Sequence, residues 1–271
     1  MNGLTQSFGS PFFQRALVEV VLVGVVAGVV GVHVVLRRLP FFVVAISHAT
    51  FPGVVLASVL GMSLFVGGSA FGLVVVVAVV ALGASRVLDD ATVVGVVLAG
   101  SFALGVLVMS ARRSPSRDLS EFLVGSVLTV TRADLVTTAV VGVLLLAALA
   151  ALHKELVLGA FDPHGAAAAG YRTPLLDLCL LSIVTVALVT AIPAVGTLLA
   201  VALLTVPALA ARLWVDRVVA TMVVAALIGA ASGVAGLCLS AVFGMAAGGA
   251  IALSASGAFV VSAAASRLVR S

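Results

Sequence analysis

An all-α, polytopic membrane fold of eight or nine transmembrane helices, some of them broken, is what this sequence predicts, on three observations. Hydrophobic residues make up 63% of the 271 and charged residues only 9%, where a soluble domain carries about a quarter charged. Mean hydropathy is +1.38. The apolar residues fall in runs of about 20 without period-2 alternation, the length a helix needs to cross hydrocarbon. A spanning backbone must satisfy its own amides, so these runs are helices.

Candidate spans lie at residues 15–36, 41–61, 64–84, 91–110, 135–152, 177–193, 196–211, 218–241 and 249–266. They use up the chain, which reads as a single transmembrane domain over 1–271 with no room for a separate soluble catalytic domain. The N-terminal MNGLTQSFGSPFFQ has no basic n-region or small-residue cleavage site, so the first span itself is expected to direct insertion.

That first span carries Glu19 and His33, 14 residues apart and therefore about 21 Å apart along a helix. Too distant to share a metal, and near opposite ends, they read as interfacial groups. The second span holds the densest local chemistry. In FFVVAISHATFPGVVLASVLG, Ser47, His48 and Thr50 stand just before Pro52 and Gly53. Proline removes a helical hydrogen bond and the adjacent glycine eases a break. Irregular backbone at membrane depth survives where it faces protein or a wet cavity. His48 there is either a metal ligand or proton carrier, or an imidazole bonded to a neighbouring helix carbonyl.

Two connections are substantial. Residues 111–134 start basic and Ser/Pro-rich and continue with an apolar piece too short to span, a surface or re-entrant segment. Residues 153–177 begin with a turn and then offer a short Ala-rich helix. Asp162 followed by Pro163 is an N-cap with proline at the first helical position, and Gly170 can close the helix. Further on, Pro193 and Pro207 bracket VGTLLAVALLT and predict another interruption. The spacings Gly24 to Gly28, Gly68 to Gly72 and Gly244 to Gly248 allow close helix approach.

The net charge of +4 does not make a nucleic-acid protein. The basic residues stand singly or in pairs at the ends of apolar runs: Arg37 and Arg38, Arg86, Arg112 and Arg113, Arg212 and Arg217, Arg267 and Arg270. Such charges sort across a membrane. Arg267 with Arg270, Arg212 with Arg217, and Lys154 are separated by pairs of spans, so they share one side, taken as cytoplasmic. Upstream, nine spans would leave Arg112, Arg113 and Arg117 outside, and an N-terminal half-span would reduce the count to eight. Cys179 and Cys238 lie inside apolar runs and act as small hydrophobes. Lys154, the only lysine, is followed by Glu155, so the phosphate-binding loop GxxxxGK[ST] is absent. No HExxH, paired-cysteine zinc site or GxSxG turn is present either. The chain is not expected to be an enzyme or to bind a cofactor of its own.

Five stretches in order resemble the permease subunits of bacterial zinc/manganese and chelated-iron ABC importers. They are LRRLPFFVVAISHATFPGVVLAS at 36–58, FLVGSVLTVTRADL at 122–135, AFDPHGAAAAGY at 160–171, VGTLLAVALLTVPALAARL at 195–213 and GVAGLCLSAVFGMAAGGAIAL at 233–253. The resemblance implies a dimeric channel, homo- or heteromeric, in the bacterial inner membrane. Two ABC ATPase subunits would bind below it and an extracellular metal-binding protein would deliver zinc, manganese or chelated iron from above. It implies that Ser47, His48, Pro52 and Gly53 line the path, with His48 as the metal group. It further implies that Phe161, Asp162, Pro163 and Gly170 form the element that couples to the ATPase. Val44 and Gly244 stand where relatives carry acidic residues, which leaves ligands to a second protomer or the cargo weakly held or chelated. The rival from another class is an ion-coupled secondary carrier relaying protons through Glu19, His33 and His48.

Overall fold

Each of the nine apolar runs is helical in the computed structural model, which describes residues 10–84, 89–110 and 130–270. In order they form α1 (Pro11–Leu36), α2 (Pro40–Ala49), α3 (Phe51–Leu60), α4 (Leu64–Gly83), α5 (Asp90–Ser110) and α6 (Arg132–Ala151). Then follow α7 (His153–Phe161), α8 (Pro163–Ala168), α9 (Thr173–Val195), α10 (Thr197–Arg212), α11 (Val218–Phe243) and α12 (Ala247–Arg270). Among the described residues, eight segments are long and apolar enough to cross a membrane, with α2 and α3 together forming one, Pro40–Leu60. The short ninth is Leu199–Arg212, so the shortfall falls on α10 and not on an N-terminal segment. Most of the 111–134 connection, with Arg112, Arg113 and Arg117, lies outside the described residues, as does Arg86.

Chain ends and turns supply the backbone partners that hydrocarbon cannot. Asp89 caps α5: its carboxylate accepts from the Thr92 amide at 3.3 Å and from the Thr92 hydroxyl. The hydroxyl bond above all, with the amide bond, holds this exposed carboxyl below its usual range. Thr131 and Asp134 do the same for α6, the Thr131 amide donating to the carboxylate at 2.9 Å and the Asp134 amide to Thr131 Oγ1 at 3.2 Å. Gly61 and Gly244 end α3 and α11 in the left-handed conformation, φ +66° and +65°, which glycine adopts without penalty.

Contacts gather into two compact units. Within the described residues one holds α1 to Val35, residues 132–147 of α6, α9 from Thr190, and α10 to α12. In it glycines let backbones touch. A β-carbon at Gly24 would come within 2.7 Å of the Gly229 backbone, one at Gly28 within 2.5 Å of Ala225, and one at Gly236 within 2.3 Å of Ile251. Lipid tails are as apolar as the side chains, so association rests on such close dispersion contact. The other unit holds residues 36–84, α5, the end of α6, α7, α8 and α9 to Val189. There Gly53 meets Gly67, a β-carbon at 53 falling 2.3 Å from its carbonyl oxygen, and Gly72 makes room for Thr50 and Thr185. Of the three predicted glycine spacings, Gly24/Gly28 and Gly68/Gly72 are packing contacts, whereas Gly244 serves a turn with nothing within 4 Å.

Glu19 and His33 are buried within the first unit, 1% and 0% exposed. The reason is tertiary: in the first unit Thr138 of α6 donates its hydroxyl to Glu19 Oε1 at 2.7 Å, one turn from Gly142, which packs on Val26. A short apolar stripe of α6 thus carries one polar partner for α1. The opposite faces of α5 and α6 leave Val96, Leu107, Val140 and Leu144 exposed, a surface suited to acyl chains.

Gly24→Ala should lower the stability of the detergent-solubilised protein by about 1–3 kcal/mol, because the facing atoms are backbone and cannot yield. Gly95→Ala in α5, with nothing within 4 Å, is the control and should not lower the melting temperature.

Candidate functional site

The second span breaks where the residues demand it. Helix α2 ends at Ala49 and α3 begins at Phe51, with Thr50 between them. Pro52 has no amide to give the His48 carbonyl, and the Gly53 amide turns to Thr50 O at 3.0 Å. Hydroxyls reinforce the bend: Ser47 donates to Val44 O at 2.7 Å and Thr50 to Ser47 O at 3.3 Å. Such local bonding bends helices. The buried Ser47 therefore spends its proton on its own helix. Gly53 is helical, and its missing side chain serves contact with Gly67 more than the break.

His48 sits one turn before Pro52, half-buried, its ring edge-on to Phe102 of α5 with centroids 6.5 Å apart. Phe51 lies beside the same Phe102 at 6.0 Å, and Gly105 leaves room for the Phe51 ring. Counting from Pro40, His48 is about 12 Å into the span. Val44, one turn earlier, is exposed. Among the described residues no three His, Cys, Asp or Glu side chains come together as a metal cluster. The imidazole and the polar backbone of the break can bind a cation or carry a proton, but as one nitrogen ligand beside carbonyls rather than as a complete cage.

The second candidate element is α7 with α8. Residues 153–161 are a helix and not a turn; Leu152 bends it from α6, and its own amide still bonds Ala148 O at 3.0 Å. Asp162 then caps α8, its carboxylate accepting from the Gly165 amide at 2.7 Å, and Pro163 opens the helix. At the far end Tyr171 N donates to Ala166 O at 3.1 Å and Gly170 N to Ala167 O at 3.0 Å, with Gly170 at φ +88°. That pair of bonds is the glycine-terminated stop the sequence announces. Six residues could not hold a helix alone; the cap, the stop and the buried Ala166 do. Phe161 is 65% exposed beside it, an apolar ring presented outward at the edge of a short helix. Sequence reasoning passed over Arg37 at this end. Its guanidinium donates to Asp177 at 2.9 Å and lies over Gly159, a pairing 140 positions apart that no local pattern signals.

The interruption between α9 and α10 lies at Gly196, at φ +80° and ψ 164°, a conformation only glycine adopts readily. Pro193 and Pro207 are both inside helices. Hydrogen bonding passes through the turn, Gly196 N to Ile192 O at 2.8 Å and Ala200 N to Gly196 O at 3.0 Å.

Residues 10–266 match the pattern of the ABC 3 transport family. The chain belongs to that family. Similar ABC 3 relatives include the manganese transport system membrane protein MntC of Listeria monocytogenes, 34% identical over 86% of this chain and 82% of the relative. Another is the zinc transport system membrane protein TroC of Treponema pallidum, 32% identical over 89% of this chain and 84% of the relative. Among solved structures, PsaBC from Streptococcus pneumoniae in complex with Fab superposes with a TM-score of 0.83 at 32% identity, covering 96% of this chain and 94% of that one. This ABC 3 chain is thus a multi-pass membrane subunit of a transport system.

Asp162→Ala should cost α8 about 1 kcal/mol, and the Gly165 amide should exchange with deuterium about fivefold faster. Asp162→Asn, which keeps an accepting oxygen, should leave the exchange nearly unchanged.

Proposed function

We propose that this chain forms the transmembrane path of an ATP-driven importer for a divalent transition metal, zinc or manganese, with chelated iron as the further cargo class. The observation that carries the reading is a broken span with His48 beside it, in a family whose relatives are named for manganese and zinc transport. The chain contributes no nucleotide-binding loop, so hydrolysis belongs to a partner ATPase. The metal is cargo, and no resident cofactor takes part.

Ser47, His48, Pro52 and Gly53 line the path in this reading. The imidazole offers a neutral nitrogen to the passing ion, and the carbonyl that Pro52 deprives of its donor offers an oxygen. With Val44 and Gly244 in place of carboxylates, ion binding is weak enough for rapid release unless a second permease protomer adds ligands. Phe161, Asp162, Pro163 and Gly170 make the foot that seats in the ATPase. Lys154 and Arg172 flank the foot in sequence, and Arg37 lies over Gly159 of α7, which supports a cytoplasmic placement for it in a bacterial inner membrane. An extracellular binding protein supplies cargo on the opposite face, and nucleotide binding shifts the helices between outward- and inward-open states.

Reconstituted in vesicles with its ATPase, the protein should take up zinc or manganese in an ATP-dependent manner that survives collapse of the proton gradient. His48→Ala should reduce that uptake at least about tenfold, the low end of what losing even an outer partner of a metal ligand costs. Uptake that persists without ATPase and follows the proton gradient would overturn the reading.

A further inference from the structure

Arg37 stands where three elements of the second unit meet. It occupies the turn that leads into α2, the helix carrying His48. This turn is tightly determined: Arg38 takes a left-handed conformation, φ +56°, unfavourable for a side chain with a β-carbon. Pro40 then starts the helix. From this turn Arg37 Nη1 donates to Asp177 Oδ1 in the first turns of α9, at 2.9 Å. Its Nη2 lies over Gly159 of α7, where a β-carbon would approach within 2.8 Å. The guanidinium thereby touches the helix that leads directly into the foot.

Two complementary groups at this junction are not joined. Arg37 Nε is buried without a hydrogen-bond partner among the described residues, and so is Glu155 Oε2. Glu155 lies four residues before Gly159 on α7, hence on the same face, one turn or about 5.4 Å away. A buried cationic donor and a buried carboxylate oxygen both left unpaired are costly. A displacement of α7 by one turn past the guanidinium brings Glu155 to the place Gly159 holds here, and such one-turn steps are a recognised mode of movement between packed elements.

We propose that Arg37 is a positioning residue for transport: it pairs with Asp177 in the arrangement seen here and passes to Glu155 when the foot moves. The exchange links foot displacement to the start of α2 and hence to the broken segment at His48. Gly159 is the clearance that lets the guanidinium slide along α7. The proposal rests on the ATP-driven reading above and adds to it the charged group that carries the movement.

The test uses the complete complex in vesicles, measuring zinc or manganese taken up per ATP hydrolysed. Glu155→Gln is nearly isosteric and leaves the Arg37–Asp177 pair intact, so the melting temperature should hold. The transport-to-hydrolysis ratio should fall about fivefold or more, the lower range of coupling between sites. Arg37→Gln should lower the ratio at least as far, and adding Glu155→Gln to it should produce no further loss. A ratio in Glu155→Gln equal to that of the unaltered protein overturns the exchange. An additive loss in the double variant overturns the dependence on Arg37. Absence of ATP-driven uptake in the unaltered complex would instead refute the functional reading, so the two failures are distinct.

Discussion

A backbone amide in hydrocarbon has no water to bond, and that constraint shapes the breaks at Thr50 and Gly196. Where a helix is interrupted, the chain supplies a substitute. At Thr50 the hydroxyls of Ser47 and Thr50 donate to the carbonyls of Val44 and Ser47, and the Gly53 amide to that of Thr50. At Gly196 a conformation reserved for glycine lets hydrogen bonding continue through the turn. Among the described residues breaks are therefore few, because an unsatisfied backbone group at that depth is costly.

The same solvent removes the ordinary hydrophobic drive for helices to associate. Close contact takes its place, and glycines at 24, 28, 53, 67 and 229 bring backbone against backbone. This packing leaves little compliance within each unit. Movement in such a structure proceeds by steps between discrete arrangements, not by gradual deformation. A charged side chain that bridges two elements, as Arg37 does in pairing with Asp177 and lying over Gly159, is a suitable pivot for a step of that kind.

Charge is scarce, so each charged group is informative. Glu19 is buried and holds a threonine from a distant helix. Arg37 gathers the entrance to the broken span, the helix before the foot and the start of α9. By contrast His48 stands against Phe102, with no metal-binding cluster of His, Cys, Asp or Glu among the described residues. A single imidazole nitrogen is fewer ligands than a site that holds a metal ion at rest requires.

The sequence by itself determined the helical membrane class, all nine apolar runs, the break before Pro52 and both ends of the foot helix, since each follows from local chemistry: apolar length, a missing amide, a capping carboxylate, a glycine stop. It did not show that Glu19 and His33 are buried, it opened 153–177 with a turn where a helix runs from His153 to Phe161, and it bracketed the second interruption by Pro193 and Pro207 without singling out Gly196. Only the tertiary structure decided which helix faces supply partners, because Thr138 and Glu19 are 119 positions apart and Arg37 and Asp177 are 140 apart. A pattern read along one helix reports its own periodicity and caps. It carries no record of the neighbour that buries a charge, and in lipid that neighbour settles what a polar group does.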